Sequence, residues 1–291
     1  MWTPDDVVTA LRARGELWEA APGLVGLRGD ALRLYRALEH AIAGLAAAET
    51  GDEWLMPAGL GLETLVRAEY FRSFPQWLTA ASHLSGDPAV LERVATAPDP
   101  AAAARRSLDP ADAALPPAVC YHAYARLAGR TLPGGGPEVL TAQATCWRHE
   151  GDRFAPLGRG WAFTMREIVC VGPLDEVEAF RQRGLERATA LARTLGLAAD
   201  VVQASDPFFA PTARGKALLQ RLKVLKQELV MGGLAAASFN NHETFFGEAF
   251  AIRLPGGAPA ASACVAFGLE RWTLAFLLTH GPDAARWPVV D

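Results

Sequence analysis

The chain has little cysteine: four in 291 residues, at Cys120, Cys146, Cys170 and Cys264, with no C-x-x-C pair. That spacing offers neither a zinc knuckle nor a small disulfide scaffold, and it suits reduced cytosolic thiols buried as small hydrophobes. Apolar runs of membrane-spanning length are missing as well, so no membrane partner is expected. MWTPDDVVTA opens on acids where a secretory leader needs a cationic flank and an apolar stretch, and the expected location is cytoplasmic. Positive charge is not in excess: 28 Lys plus Arg against 32 Asp plus Glu leave a formal net charge of -4. No global field for holding tRNA or DNA results, only room for a local patch.

What the chain does have is apolar mass, 51% of its residues, which is ample core for one large domain or two modest ones. Helical spacing marks 4–14 and 30–48, the latter with Asp30 in the N-cap position and Leu32, Leu34, Leu38, Ile42 and Leu45 near one face. Residues 51–83 read as a short strand at 53–56, a helix at about 61–72 and a proline break in SFPQWL. The Ala-, Pro- and Asp-rich stretch 96–117 reads as a connector or short helical excursion, not a domain boundary. A short helix after Cys120, a hairpin at 145–172, a helix at 174–195 ending at Gly196 and a strand at 200–204 follow. Segment 216–229 is helix or extended, ASFNN and EAFAIRLP look like strands, and GLERWTLAFLLTHG is a buried helix. Helices interleaved with hairpins predict a single α+β domain over 1–291 whose sheet carries the site.

The hairpin concentrates charge between apolar runs. Strand alternation puts Cys146, Arg148 and Glu150 on one face, and Trp161, Phe163, Met165 and Glu167 together on the returning strand. If those faces coincide, a cation, two carboxylates and an aromatic platform line one surface, which suits a phosphorylated, aromatic-bearing ligand. An exposed sheet laced with cross-strand ion pairs explains the same residues equally well.

CWRHEG followed by GRGWAFTMRE, within 145–170, resembles motif 2 of class II aminoacyl-tRNA synthetases, the Arg-x-Glu, loop and Phe hairpin that binds ATP. AFGLERWTLAFLL, within 264–278, resembles motif 3, and SFPQWL, around 70–78, resembles motif 1, with Pro75 as its dimer-interface proline. Three motifs in order over most of the chain make the resemblance specific. Within that superfamily SFPQW, PAVCYHAY, ASDPFF, SFNNHETFFG and CVAFGLERW are similar to the amino acid–carrier protein ligases, relatives of archaeal-type seryl-tRNA synthetases, over roughly 23–280. The fold this implies is a class II antiparallel sheet flanked by helices, with no tRNA-binding arm.

The resemblance implies a catalytic zinc ion (Zn2+) held by Cys120, Glu167 and Cys264, which captures the substrate's neutral amino group. Three ligands and one open position is the catalytic pattern of zinc. Arg148 matches the clamp on the α-phosphate and the amino acid carboxylate, a task for a planar fork. Glu150 matches the adenine-amino contact, Phe163 the ring on which adenine stacks, and Arg271 the γ-phosphate contact. Arg159 reaches toward the outer phosphates or is a surface cation. Lys226 and the run Ala235 to Ser238 fall where the family contacts the nucleotide, although helical spacing equally makes Lys226 a solvated cation. Where seryl-tRNA synthetases place a magnesium-binding Glu this chain has Ala235, which leaves the phosphates, Ser238 or Asn241 to organise Mg2+. Asp206 either faces the amino acid or caps a turn before Pro207, and His242 reads as structural.

The implied reaction activates a small amino acid, glycine or alanine, with ATP and transfers it to the phosphopantetheine thiol of a carrier protein, in a homodimer. Trp161 and Met165 on the site face are expected to narrow the pocket. The rival readings are a compact seryl-tRNA synthetase and an inactive paralogue with a binding role. The short, non-basic N-terminal 50 residues stand against tRNA as a partner, and the retained Arg148, Glu150, Glu167 and Arg271 against inactivity.

Overall fold

A computed structural model of the chain describes residues 2–151, 154–208 and 223–290. Helix α1 (Pro4–Ala13) starts on a capping box: the Thr3 side chain accepts from the Asp6 backbone, and Asp6 returns the bond to the Thr3 backbone. Strands β1 (Leu17–Ala21) and β2 (Leu24–Leu27) pair antiparallel and lead into helix α2 (Gly29–Ala47). Among the described residues no helix is long and apolar enough to cross a membrane.

The chain then lays down β3 (Glu53–Trp54), β4 (Leu60–Gly61), helices α3 (Leu62–Arg67) and α4 (Tyr70–Ser73), and a 3-10 turn at Pro75–Trp77. Next come β5 (Ala80–Ala81), α5 (Pro88–Ala95), α6 (Pro100–Arg105), β6 (Ala113–Ala114) and α7 (Cys120–Leu127). Strands β4, β6 and β5 form a small sheet in that order, so the connector expected at 96–117 holds both a helix and a strand.

The main sheet is built on the hairpin of β7 (Glu138–Trp147) and β8 (Ala162–Gly172). Helix α8 (Leu174–Thr194), β9 (Ala199–Gln203), β10 (Lys226–Met231), β11 (Leu234–Asn241), α9 (Phe245–Ala249), β12 (Ala261–Gly268) and α10 (Leu269–His280) complete it. Seven strands lie in the order β3-β7-β8-β12-β11-β10-β9. Every neighbouring pair is antiparallel except β3 on β7, a short parallel edge, so the class II antiparallel architecture is present.

The two faces of this sheet are covered differently. Behind it, Ile168, Val265, Phe267 and Phe239 pack on Phe180 of α8, Trp272 and Phe276 of α10 and Leu38 of α2. Each large side chain buried there contributes about 1.5–3 kcal/mol. In front, α7 and α9 cover only part: Tyr124, Phe246 and Phe250 close on Leu140, Val169 and Val171. The rest of the front face opens into a cavity.

Several local expectations need correction. The N-cap of α2 is Arg28, in extended backbone, and Asp30 sits in the first turn, paired with Arg33 and favourable to the helix dipole. The helix expected at 61–72 is broken at Glu69, whose φ of 51° is left-handed. The strand expected at 53–56 stops at Trp54. EAFAIRLP is not a strand: α9 ends within it and Ala251 takes φ 54°. Gly247 lies so close to Ala260 that an added Cβ would meet its carbonyl oxygen at 2.0 Å, an approach that only glycine allows. Within the segment expected at 216–229, residues 216–222 lie outside the described residues, and β10 takes the rest from Lys226.

Candidate active site

Residues directly opposite in a register share a face of the sheet. Glu167 of β8 faces Ala266 of β12, Ala266 faces Ser238 of β11, and Ser238 faces Glu228 of β10. One rung along, Cys264, Asn240 and Lys226 form a second row. Phe163, Met165 and Glu167 alternate onto this same front face, and all of these residues line a cavity of roughly 640 Å³, within the usual range for a small-molecule site. The four-strand register thus collects groups scattered over 100 residues.

One end of the cavity is cationic. Strand β7 stops at Trp147, and the chain beyond it is held by Arg148 N–H donating to Trp161 O at 2.9 Å and His149 N–H to Trp77 O at 3.1 Å. Arg148 Nε donates to Pro117 O at 2.9 Å, and its guanidinium lies 5.3 Å from the Phe163 ring centroid and 5.5 Å from that of Trp77. Its two Nη nitrogens donate to nothing among the described residues, so the fork remains available to an oxyanion. Arg271, in the first turn of α10, donates from Nε to Gly158 O at 2.8 Å and from Nη1 to Ala235 O at 2.9 Å. Burial first, then the charge of Arg148, holds the Arg271 guanidinium below its ordinary value. Two cations facing one cavity are relieved by an anion between them. Glu150 also lines the cavity, with Arg159 Nε 3.3 Å from its Oε2.

The other end is sulfur and carboxylate. Cys120 opens α7, Glu167 stands on β8 and Cys264 on β12; their ligand atoms lie within 4.8 Å of one another and all three residues are buried. Glu167 Oε1 accepts from Val119 N–H at 2.9 Å, whereas Oε2 is buried without a hydrogen-bond partner. Burial first, then Cys264, pushes the Glu167 carboxyl up to about 8. An orphaned carboxylate oxygen between two thiols is costly as it stands. A dication that takes both thiolate and carboxylate ligands would satisfy all three at once, so this donor set fits zinc.

Between the ends lies a polar row on β10 and β11, in a segment whose sequence left helix and strand both open up to residue 229. Lys226 Nζ lies 2.5 Å from Asp206 Oδ1 and 3.1 Å from Glu228 Oε1. Lys226 is therefore a buried cation between two carboxylates and not a solvated one, and Asp206 faces the cavity instead of serving only its turn. Ser238 lies opposite Glu228 in the β10–β11 register, and both line the cavity. Asn241 borders the cavity, but its amide is engaged elsewhere: Nδ2 donates to Glu178 of α8 at 2.8 Å and Oδ1 accepts from Glu243 N–H at 2.8 Å. Trp161 also leaves the site face, because it precedes β8, where alternation no longer applies. Its ring packs on Trp147 and His149, and its Nε1 donates to Thr79 Oγ1 at 2.9 Å. Met165 does line the cavity. Glu270 was missed as a partner of β8, and no local signal marks it.

No known family profile matches the sequence. The chain is 38% identical over 265 residues to amino acid–acyl-carrier-protein ligase 1 of Bradyrhizobium diazoefficiens, covering 88% of this chain and 80% of that protein. It is 38% identical over 240 residues to ligase 2 of the same organism, covering 80% and 71%. In structure it is similar to the M. kandleri seryl-tRNA synthetase solved with A. aeolicus tRNASec, with a TM-score of 0.87 at 22% identity over 98% of this chain and 59% of that one. That likeness shows the class II fold, and with identity near two in five over most of two relatives the chain belongs to the amino acid–carrier protein ligases and is a ligase.

Proposed function

We propose that the protein activates glycine or alanine with ATP as an aminoacyl-adenylate and passes the aminoacyl group to the phosphopantetheine thiol of a carrier protein. The observation that carries this reading is a single cavity with two chemically distinct ends, an open arginine fork at Arg148 and a buried Cys120–Glu167–Cys264 cluster. A substrate with a carboxylate and an amine one carbon apart spans such a pair.

Arg148 grips the carboxylate and the α-phosphate, Arg271 the outer phosphates, and Phe163 stacks the adenine, with Glu150 on its amino group and Arg159 at the loop. Glu228 and Ser238 are the residues that would hold the Mg2+ accompanying ATP, and Lys226 balances the charge of Glu228 and Asp206. Cys120, Glu167 and Cys264 are the residues that would hold a zinc ion, which would supply a Lewis-acid seat for the neutral amine. The amino acid carboxylate oxygen then attacks the α-phosphorus in line and pyrophosphate leaves. In the second step the pantetheine sulfur, having lost its proton, attacks the carbonyl carbon and AMP leaves. Fixed charges at these positions favour the developing phosphate charge without reorganisation. Tyr121 and Phe246, packed edge-to-face at 6.0 Å on the cavity wall, support a small substrate side chain. A cytoplasmic homodimer joined near Pro75 belongs to the same reading.

The test is amino-acid-dependent exchange of pyrophosphate into ATP across the twenty amino acids, with zinc-replete protein, followed by transfer assays. Exchange with glycine or alanine and loading of a pantetheinylated carrier is the expected result. Exchange with none sinks the reading, and transfer to tRNA but not to the carrier replaces it with the synthetase alternative.

A further inference from the structure

Beside the sulfur–carboxylate cluster stands an imidazole to which the proposed reaction gives no task. His242 follows β11 directly. Its Nε2 lies 3.9 Å from Cys264 Sγ, and its Nδ1 lies 3.2 Å from the Tyr124 hydroxyl and 3.4 Å from Ser262 Oγ. The ring is outside the set of ligand atoms that lie within 4.8 Å of one another, so it stands behind Cys264 and not among the metal donors.

The partners decide which nitrogen carries the hydrogen. Nδ1 faces two hydroxyls, each able to donate or accept, while Nε2 faces a sulfur that as a metal-bound thiolate can only accept. With the sulfur in that acceptor-only state, the neutral imidazole that satisfies both sides carries its hydrogen on Nε2 and accepts at Nδ1 from a hydroxyl. Tyr124 is placed to impose that choice: its ring is fully buried and stacked 4.1 Å from Phe246, which fixes where its hydroxyl points. Asn240 Nδ2, 3.4 Å from the same sulfur, adds a second donor.

We propose that Tyr124, His242 and Cys264 form a hydrogen-bonded relay in which Tyr124 fixes the His242 tautomer and His242 holds the Cys264 sulfur as an oriented thiolate ligand. Tyr124 and His242 are positioning residues acting through Cys264. This rests on the zinc reading of the cluster and extends it to residues outside the ligand set. Hydrogen bonds to an ionised acceptor are about twice as strong as neutral ones, and loss of such an outer partner typically costs about 10–100-fold in metal affinity.

The competing explanation is packing alone, since His242 also meets the Phe246 ring edge-on at 4.8 Å. Zinc affinity of the full chain, measured by competition with a chromophoric chelator, separates the two, with cobalt(II) as a spectroscopic substitute. Relay predicts zinc binding weakened about 10–100-fold in His242→Ala and several-fold in Tyr124→Phe, which keeps its ring and its stack. The double variant should bind no more weakly than His242→Ala alone, because both act through one path. Thiolate-to-cobalt charge transfer should persist in every variant. Unchanged affinity in either single variant, additive losses in the double variant, or d–d bands that shift as if a nitrogen ligand had been lost each overturn the relay. Wild-type protein that binds no zinc overturns the metal reading as well, whereas tight wild-type binding with an indifferent His242→Ala overturns the relay alone.

Discussion

Both carboxylate oxygens of Glu270 lie 2.9 Å from the backbone nitrogen of Thr164, tying the first turn of α10 to the edge of β8. The bond forms where the sheet runs out: β12 pairs with β8 only as far as Gly268 opposite Met165, so the next free N–H of β8 needs another acceptor. Thr164 sits between Phe163 and Met165, and Glu270 is adjacent to Arg271. Glu270→Ala is therefore expected to loosen the slot between ring and guanidinium, raising KM for ATP about tenfold, the scale of one lost charge-assisted hydrogen bond, while KM for the amino acid stays within about twofold. Pyrophosphate exchange with each substrate varied in turn reads the difference.

The same carboxyl makes stability depend on pH. Burial is the main reason that it is pushed up to about 7 from an ordinary 4.5. A raised carboxyl favours the folded state most when protonated, so its contribution is full below about 4.5 and is lost as pH rises toward 7, to a limit of about 3 kcal/mol. Glu270→Gln should flatten the fall in Tm between pH 5 and 7, as followed by thermal melts. An identical slope in both proteins would count against the assignment.

Arg148→Lys keeps a charge but loses the fork, the bond to Pro117 and the flat face against Phe163 and Trp77. Adenylate formation should fall about 100–1,000-fold, the scale of removing one preorganised donor. Single-turnover kinetics at saturating ATP should show the loss in the chemical step.

Metal content should sort the cysteines. Cys264→Ala and Glu167→Gln are expected to lose bound zinc, while Cys170→Ala keeps it, because Cys170 faces α8 on the far side of the sheet. Mass-spectrometric metal analysis of each purified variant decides. Equal zinc in all three removes the cluster from the site.

Gly184 in α8 lets the helix lie against β12: a Cβ there would meet Val265 Cγ2 at 2.5 Å. Gly184→Ala gains about 1 kcal/mol in helix propensity but must push on the residue next to Cys264, at a cost of about 1–3 kcal/mol. Net destabilisation in urea, with weakened zinc binding, is the expected pair of results.

Local patterns in the chain were enough for much of the fold. The 3.6-residue period placed α8 and α10 to within two residues, and the returning strand β8 lies inside the expected hairpin. Strand β7, however, begins at Glu138 and ends at Trp147, so Arg148 and Glu150 stand beyond it and not on a strand of 145–172. Short elements were less legible. Two-residue strands such as β3 and β4 carry no periodicity, and EAFAIRLP alternates like a strand yet turns because Gly247 must approach Ala260. Trp161 was misplaced for a related reason, since alternation cannot be carried past the end of a strand.

Motif order determined the class of this protein through its resemblance to class II synthetases, with Arg148, Glu150, Phe163 and Arg271 in the motif positions, and the composition provides a core able to hold that fold. Only the tertiary structure decided which groups meet. Cys120 and Cys264 are separated by a long stretch of chain and converge because β8 and β12 pair in one register, with α7 packed on the front. Whether Lys226 is solvated or locked between Asp206 and Glu228, and whether His242 is idle or bonded to Cys264, likewise depends on strand order. Contacts across a sheet are set by pairing between distant segments, and no local period in the chain encodes them.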